Sequence, residues 1–175
     1  MADFYQKITD MQGSLEDLIR KVPGFKGYFE KQDRRAADNL LRDHVVLQFQ
    51  QQLGELDRVS QQMIAKSGLE FMDRIQRIQS KLQTFIDRIN TAAQGYAGVF
   101  DAVKVKEDAL ARLYAFDNAL LTYQEQFSEG LKHLQETLGT GEVAGVLDQL
   151  DSIVTEANNT FKHRVEAIQN LQEGA

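Results

Sequence analysis

Between residues 69 and 93, six large apolar side chains recur at steps of four, three, four, three and four: Phe71, Ile75, Ile78, Leu82, Phe85 and Ile89. An α-helix turns once in about 3.6 residues, so this alternation holds all six on one narrow stripe. Asp, Arg, Gln and Lys fill the positions between them and leave the opposite face to water. One helix cannot bury such a stripe by itself. The chain must fold around helix–helix contacts.

Partners for that stripe lie on both sides of it. Upstream, Ala37, Leu41, Val45, Phe49, Leu53, Leu56, Val59 and Met63 step by fours and threes and predict a helix over 30–67. At 1.5 Å per residue it is about 55 Å long. Its other face is rich in glutamine, and Gly54 within it costs about 1 kcal/mol relative to alanine. Downstream, a helix over 106–138 carries Leu110, Leu113, Phe116, Leu120, Tyr123, Phe127, Leu131 and Leu134. Glu107 and Asp108 stand in its first turn, where the helix dipole favours acids. Gly139-Thr140-Gly141 stops it, and a last helix over 142–172 carries Val146, Leu150, Val154, Ala157, Phe161, Val165, Ile168 and Leu171.

The first 22 residues form a shorter apolar-periodic segment through Phe4, Ile8, Met11, Leu15, Leu18, Ile19 and Val22. Gly13-Ser14 is a place to interrupt it, with Ser14 capping and Asp17 in the capping-box position. Pro23-Gly24 ends it, because proline restricts the residue before it and lacks an N–H. Residues 23–29 then read as a turn carrying Phe25, Tyr28 and Phe29. These rings either pack on the helices or serve as a surface anchor; packing is favoured, since buried rings contribute more. The expected organisation is a helical segment at 1–22, an aromatic turn at 23–29 and a helical bundle over 30–175.

Four helices joined mainly by short turns pack as antiparallel neighbours, and near-heptad spacing predicts shallow crossing angles of about 20°. The expected fold class is therefore all-α, an elongated antiparallel (up-and-down) four-helix bundle with a shorter N-terminal helix. The one long connection, residues 95–105, is unusually apolar. Tyr96, Val99, Phe100, Val103 and Val105 stand among Ala97, Gly98 and Ala102, which suits a corner that plugs one end of a core. Asp101, Lys104, Lys106 and Asp117 flank it, with Asp117 a polar point between Phe116 and Leu120.

Two stretches, PGFKGYFEKQDRRAADNLLR and GYAGVFDAVKVKEDALARLYAFDNAL, carry a resemblance. Together they look like a family of bacterial and archaeal all-helical proteins with no established function, and the likeness runs from Leu18 to the C-terminal helix. It implies the helical fold and transfers no catalytic residue.

Charge narrows the choice of partners. A net charge of −6 argues against general nucleic-acid binding, which needs a concentrated basic face. Residues 20–35 hold six cations against two anions, whereas residues 136–175 hold seven anions against Lys162 and Arg164. The expectation is two solvated faces that attract each other weakly within the fold. At the start of the long helix, Glu30–Arg34 and Arg34–Asp38 have i,i+4 spacing, worth a few tenths of a kcal/mol each.

Chemistry is sparse. Cysteine is absent, which removes disulfides, thiolate ligands and a thiol nucleophile and fits a cytoplasmic location. No stretch reads as a secretory leader or a membrane span. His44, His133 and His163 lack the Glu-x-x-His pairing of a bundle di-metal site, although Glu129 and Glu136 flank His133. Gly-Thr-Gly before a helix could hold an anion, but a helix stop is the simpler role. No nucleotide-binding loop or nucleophile arrangement is present.

The expectation is thus a non-enzymatic scaffold or adaptor acting through a protein partner or self-association, without a cofactor, metal or nucleic acid. Its interaction residues would be Phe25, Lys26, Tyr28, Phe29, Lys31, Arg34 and Arg35, with Tyr96 and Phe100 at the corner. The alternatives are adsorption to anionic membrane surfaces through the basic, aromatic segment 20–35, and a metal-dependent bundle enzyme.

Overall fold

The computed structural model describes residues 13–30, 33–92 and 107–173. All regular structure among them is helical, and no strand occurs there. In chain order the helices are α1 (described over 13–21), α2 (Phe25–Glu30), α3 (Arg34–Ser67), α4 (Met72–Ala92), α5 (Glu107–Thr137) and α6 (Val143–Glu173).

The ends are set by local chemistry. Pro23-Gly24 makes the turn after α1, with Gly24 in the left-handed region at φ 82°, where an L side chain is strained. The expected turn over 23–29 stops there. From Phe25 the backbone is already helical, and α2 is a separate short helix rather than the start of the long one. The reason lies at Asp33, whose carboxylate accepts the Ala36 N–H at 3.0 Å and starts α3 afresh. Gly68, at φ 68°, closes α3 by donating its N–H to the Ile64 carbonyl at 3.0 Å. After α5, Gly139 takes φ 83° and the Thr140 hydroxyl accepts the Glu142 N–H at 3.2 Å, which leads directly into α6. Gly13 and Ser14 are both helical, and Gly54 faces open space inside an unbroken α3.

α3 packs beside α4 and α5, and α6 packs beside the same two helices. Side-chain pairs give the directions. Phe49 meets Phe85 while Asp57 meets Gln79, so α3 and α4 are antiparallel. Asp117 meets Arg164 while Leu150 abuts Gly130, so α5 and α6 are antiparallel too. Arg74 lies by Asp148, Lys81 by Asp151 and Arg88 by Asn158, so α4 and α6 run the same way. Asp38 and Asp117 share Arg164 while Phe49 meets Phe127, which gives α3 and α5 a common direction as well.

The expectation that all side-by-side neighbours are antiparallel is corrected: α3/α4 and α5/α6 are antiparallel, whereas α3/α5 and α4/α6 are parallel. The turns at 68–71 and 138–142 are short and force their helices into hairpins. The α4–α5 connection is not a short turn, and these consecutive helices lie diagonally opposite. The apolar corner at 95–105, with Tyr96, Phe100, Asp101 and Lys104, lies outside the described residues, as does Lys106.

The main core runs from Leu18, Val22 and Phe25 to Val143 and Leu150, and Leu113 and Ile168 form a small separate cluster. Edge-to-face rings link Phe127 to Phe49, Phe49 to Phe85 and Phe85 to Phe161, one ring from each long helix. Such geometry adds about 0.5–1.5 kcal/mol per pair beyond area burial. α1 and α2 lie over the α3/α5 side near its N-terminal end. Lys21 pairs with Glu125, Asn118 donates to Asp17, and Phe25 and Phe29 set their rings against Tyr114.

Candidate functional site

The apolar stripes are interrupted at one level by charge. Arg164 of α6, 1% exposed, reaches into the core among Asp38 and Arg42 of α3 and Asp117 of α5, all buried. Its Nε donates to Asp117 Oδ1 at 2.5 Å, and its Nη2 donates to Asp38 Oδ1. Arg42 Nε donates to the other oxygen of Asp38 at 2.9 Å, and Arg42 Nη2 to Asn39. Two carboxylates and two guanidiniums thus form a neutral cluster tying three helices together.

Electrostatics separate its members. Burial alone would raise Asp38, but the Arg164 and Arg42 charges and their hydrogen bonds outweigh it and hold the carboxyl below its ordinary value. At Asp117 burial wins against the pull of Arg164, helped by the negative Asp38, and the pKa is pushed up to about 6. Burial opposes the charge of Arg164 also, yet Asp117 and Asp38 keep that guanidinium above its usual value. Removing one member would leave an uncompensated charge in the core, whereas the intact set contributes little net stability. Its contacts hold α3, α5 and α6 at one level. A second polar contact joins two of these helices: Gln52 of α3 donates to the Gln124 carbonyl of α5 at 2.8 Å.

The expected Arg34–Asp38 pair involves a side chain outside the described residues; within them Asp38 serves Arg164 and, four residues on, Arg42 in the interior. The acids of the last helix also find partners elsewhere than foreseen: Asp148 pairs with Arg74 at 3.2 Å and Asp151 with Lys81 at 2.8 Å, both on α4.

The foreseen interaction residues are dispersed. Phe25 is in the core and stacks on half-buried Phe29. Tyr28 is 41% exposed, Lys26 is exposed beside Glu30 at 3.7 Å, and Arg35 is exposed. Lys31, Tyr96, Phe100 and the Arg34 side chain lie outside the described residues. His44 is half-buried, which lowers its pKa, while His133 and His163 are exposed on α5 and α6. No group of three or more His, Asp or Glu side chains gathers to hold a metal among the described residues. None of the described helices is long and apolar enough to cross a membrane.

The surface feature that the sequence reading missed lies between α4 and α6. Along α4, one residue before each core position, run Arg74, Arg77, Lys81, Thr84, Arg88 and Thr91. That row holds four cations and no acid, and it faces α6. Here the two parallel helices leave a recess of about 370 Å³, lined by Ser80, Thr84 and Thr155 between Arg77 and Arg88. It continues past Arg88 and Asn158 into a second recess of about 420 Å³ around Ala92, Phe161, Lys162 and Val165. No described residue from another element lines either recess. The signal was legible as a second, basic row beside the apolar one.

Comparison of the chain with protein-family models, with curated proteins and with solved structures gives no match. The resemblance carried by the two motifs therefore rests on those motifs alone.

Proposed function

We propose that the chain is a non-catalytic helical adaptor, in which α3 to α6 form a four-helix bundle that binds a protein partner along the α4/α6 groove. The observation carrying this reading is the unequal treatment of two like grooves. Each is made by a pair of parallel helices. The α3/α5 groove is filled at one end by α1 and α2, with Leu18, Val22 and Phe25 buried there. The α4/α6 groove is filled by no described residue and is edged by cations. Long parallel helices bridged by Arg74 with Asp148 and Lys81 with Asp151 give such a groove a defined edge, which suits recognition of an elongated segment.

The test is light scattering after size-exclusion chromatography of the full chain at low and high salt, with affinity co-purification from the source cells. Self-assembly, or one protein recovered stoichiometrically, supports the adaptor. A monomer at every concentration with nothing bound in stoichiometric amount defeats it. Adsorption to anionic membranes stays second. Lys26 and Tyr28 are available for it, but Phe25 could reach a bilayer only by leaving the core. Vesicle co-sedimentation unchanged by Lys26→Glu and Arg35→Glu would remove that alternative.

A further inference from the structure

We propose that the occupant of the α4/α6 groove is an acidic amphipathic helix of a partner protein, laid lengthwise with carboxylates against Arg77 and Arg88. This names the partner class for the adaptor reading and rests on it.

The chain itself shows what a groove of this build accepts. On the α3/α5 side the occupant is a helix, α1, whose Leu18 is buried in the core, as is Val22 just after it, while Asp17 and Lys21 reach polar partners on α5 at its edge. The α4/α6 groove repeats that layout with a different charge. On its α4 edge stand Arg74, Arg77, Lys81 and Arg88; on its α6 edge stand Asp148, Asp151 and Lys162. Arg74 and Lys81 are matched by Asp148 and Asp151, and Lys162 lies 3.9 Å from Glu166 on its own helix. Arg88 finds only the neutral Asn158 at 3.3 Å, and Arg77 has no ion pair among the described residues. The groove is basic on a chain whose net charge is −6, which selects an acidic ligand by complementarity.

Spacing defines the shape of that ligand. Arg77 and Arg88 are eleven residues apart on one helix face, about 16 Å along the axis. A single small anion cannot span them, whereas a helix with two acids eleven residues apart can. Beyond Arg88, the half-buried Ala92 and Val165 and the edge of Phe161 offer an apolar seat for the same ligand. Helix-in-groove recognition combines these parts: an apolar row for affinity, and charges at the rim for orientation and partner choice.

The experiment uses the full chain and two synthetic helical peptides of about 16 residues, each about 24 Å long. They share one apolar row and carry either Glu or Lys at flanking positions eleven apart. Binding is read by fluorescence anisotropy and located by amide hydrogen exchange. The Glu peptide is expected to bind, to protect α4 and α6, and to lose about tenfold in affinity with Arg77→Glu/Arg88→Glu and less with Arg77→Gln/Arg88→Gln. The exposed positions of both arginines leave the fold intact, which circular dichroism verifies. Equal binding of the Lys peptide, no loss in either double variant, or protection confined to 20–35 would overturn the proposal. So would light scattering showing that the groove is closed by a second copy of the chain. Failure of the Glu peptide alongside a stoichiometric natural partner would reject this ligand class and leave the adaptor reading standing.

Discussion

Arg164 and Asp117 meet in the interior with Nε 2.5 Å from Oδ1, and neither side chain is more than 4% exposed. This contact joins α6 to α5, and through the same guanidinium Asp38 joins α3. Coulomb attraction in such a site is strong, but both charges have lost their water, so the net gain is small while the loss from breaking the set is large.

The first expectation follows. Arg164→Met leaves Asp117 without its hydrogen-bond donor and Asp38 with Arg42 alone, and should destabilise the chain by about 3–5 kcal/mol. Replacing Asp38, Arg42, Asp117 and Arg164 together with apolar residues of similar volume should restore most of that loss or exceed it. Urea denaturation followed by circular dichroism measures both. If the single and fourfold variants lose equally, the cluster is a source of stability and not of alignment.

Asp117 sets the pH response. Its folded pKa of about 6 lies above the ordinary 3.8, so the folded chain holds this proton more tightly than the unfolded one. Its contribution is complete below about pH 4 and falls as the pH rises through about 6, by a few kcal/mol at most. Asp38 has the opposite sign: its lowered pKa contributes stability above about pH 4 that is lost on further acidification. His44, lowered by burial, likewise favours folding above its ordinary value of 6.5. The urea midpoint difference between wild type and Asp117→Asn should therefore change between pH 4 and 6.5 and level off above. A difference that is flat with pH would show that Asp117 stays ionised throughout.

How much of this could be read in advance turns on which residues one follows. The α4 stripe of Ile75, Ile78, Leu82, Phe85 and Ile89 was legible because each member is apolar, and all are buried. On α6 the same alternation of threes and fours runs through Ala157, Phe161, Arg164 and Ile168. Tracking apolar residues alone shifts attention to Val165, which is only half-buried. On α5 it runs through Leu113, Asp117 and Leu120, and on α3 through Asp38, Arg42 and Val45. The polar exceptions fall on the stripes at one level and pair with each other. Spacing places each of them in the core, but nothing in one helix says which residue on another will neutralise it. Helix order around the core is undetermined in the same way: a short turn dictates a hairpin, while a long connection leaves the next position open.

The start of α3 depends on one carboxylate. Asp33 accepts the Ala36 N–H at 3.0 Å, and Asp33→Ala should cost about 1 kcal/mol, with Asp33→Asn close to neutral. Hydrogen exchange should locate the change in the first turn of α3. An unchanged exchange pattern in Asp33→Ala would mean that tertiary contacts of Ala37 and Leu41 hold that turn by themselves.

Two glycines give a comparison in which the same substitution acts in opposite directions. Gly130 is buried on α5 where it crosses α6, and a Cβ built there would stand 2.6 Å from Leu150 Cδ2. Leu150 is fully buried, so it cannot swing away without opening the α5/α6 contact. Gly130→Ala should cost about 1–3 kcal/mol, the usual penalty for overpacking. Gly54 lies within α3 with nothing inside 4 Å of the added methyl, so Gly54→Ala should stabilise by about 0.5–1 kcal/mol through backbone entropy alone. Thermal melting of the two single variants and the double variant checks both signs. Because the sites lie on different helices, the double variant should equal the sum within about 0.5 kcal/mol. A neutral Gly130→Ala would mean that the α5/α6 spacing relaxes freely, and the buried contact of Asp117 with Arg164 on the same pair of helices would then be the element fixing their alignment.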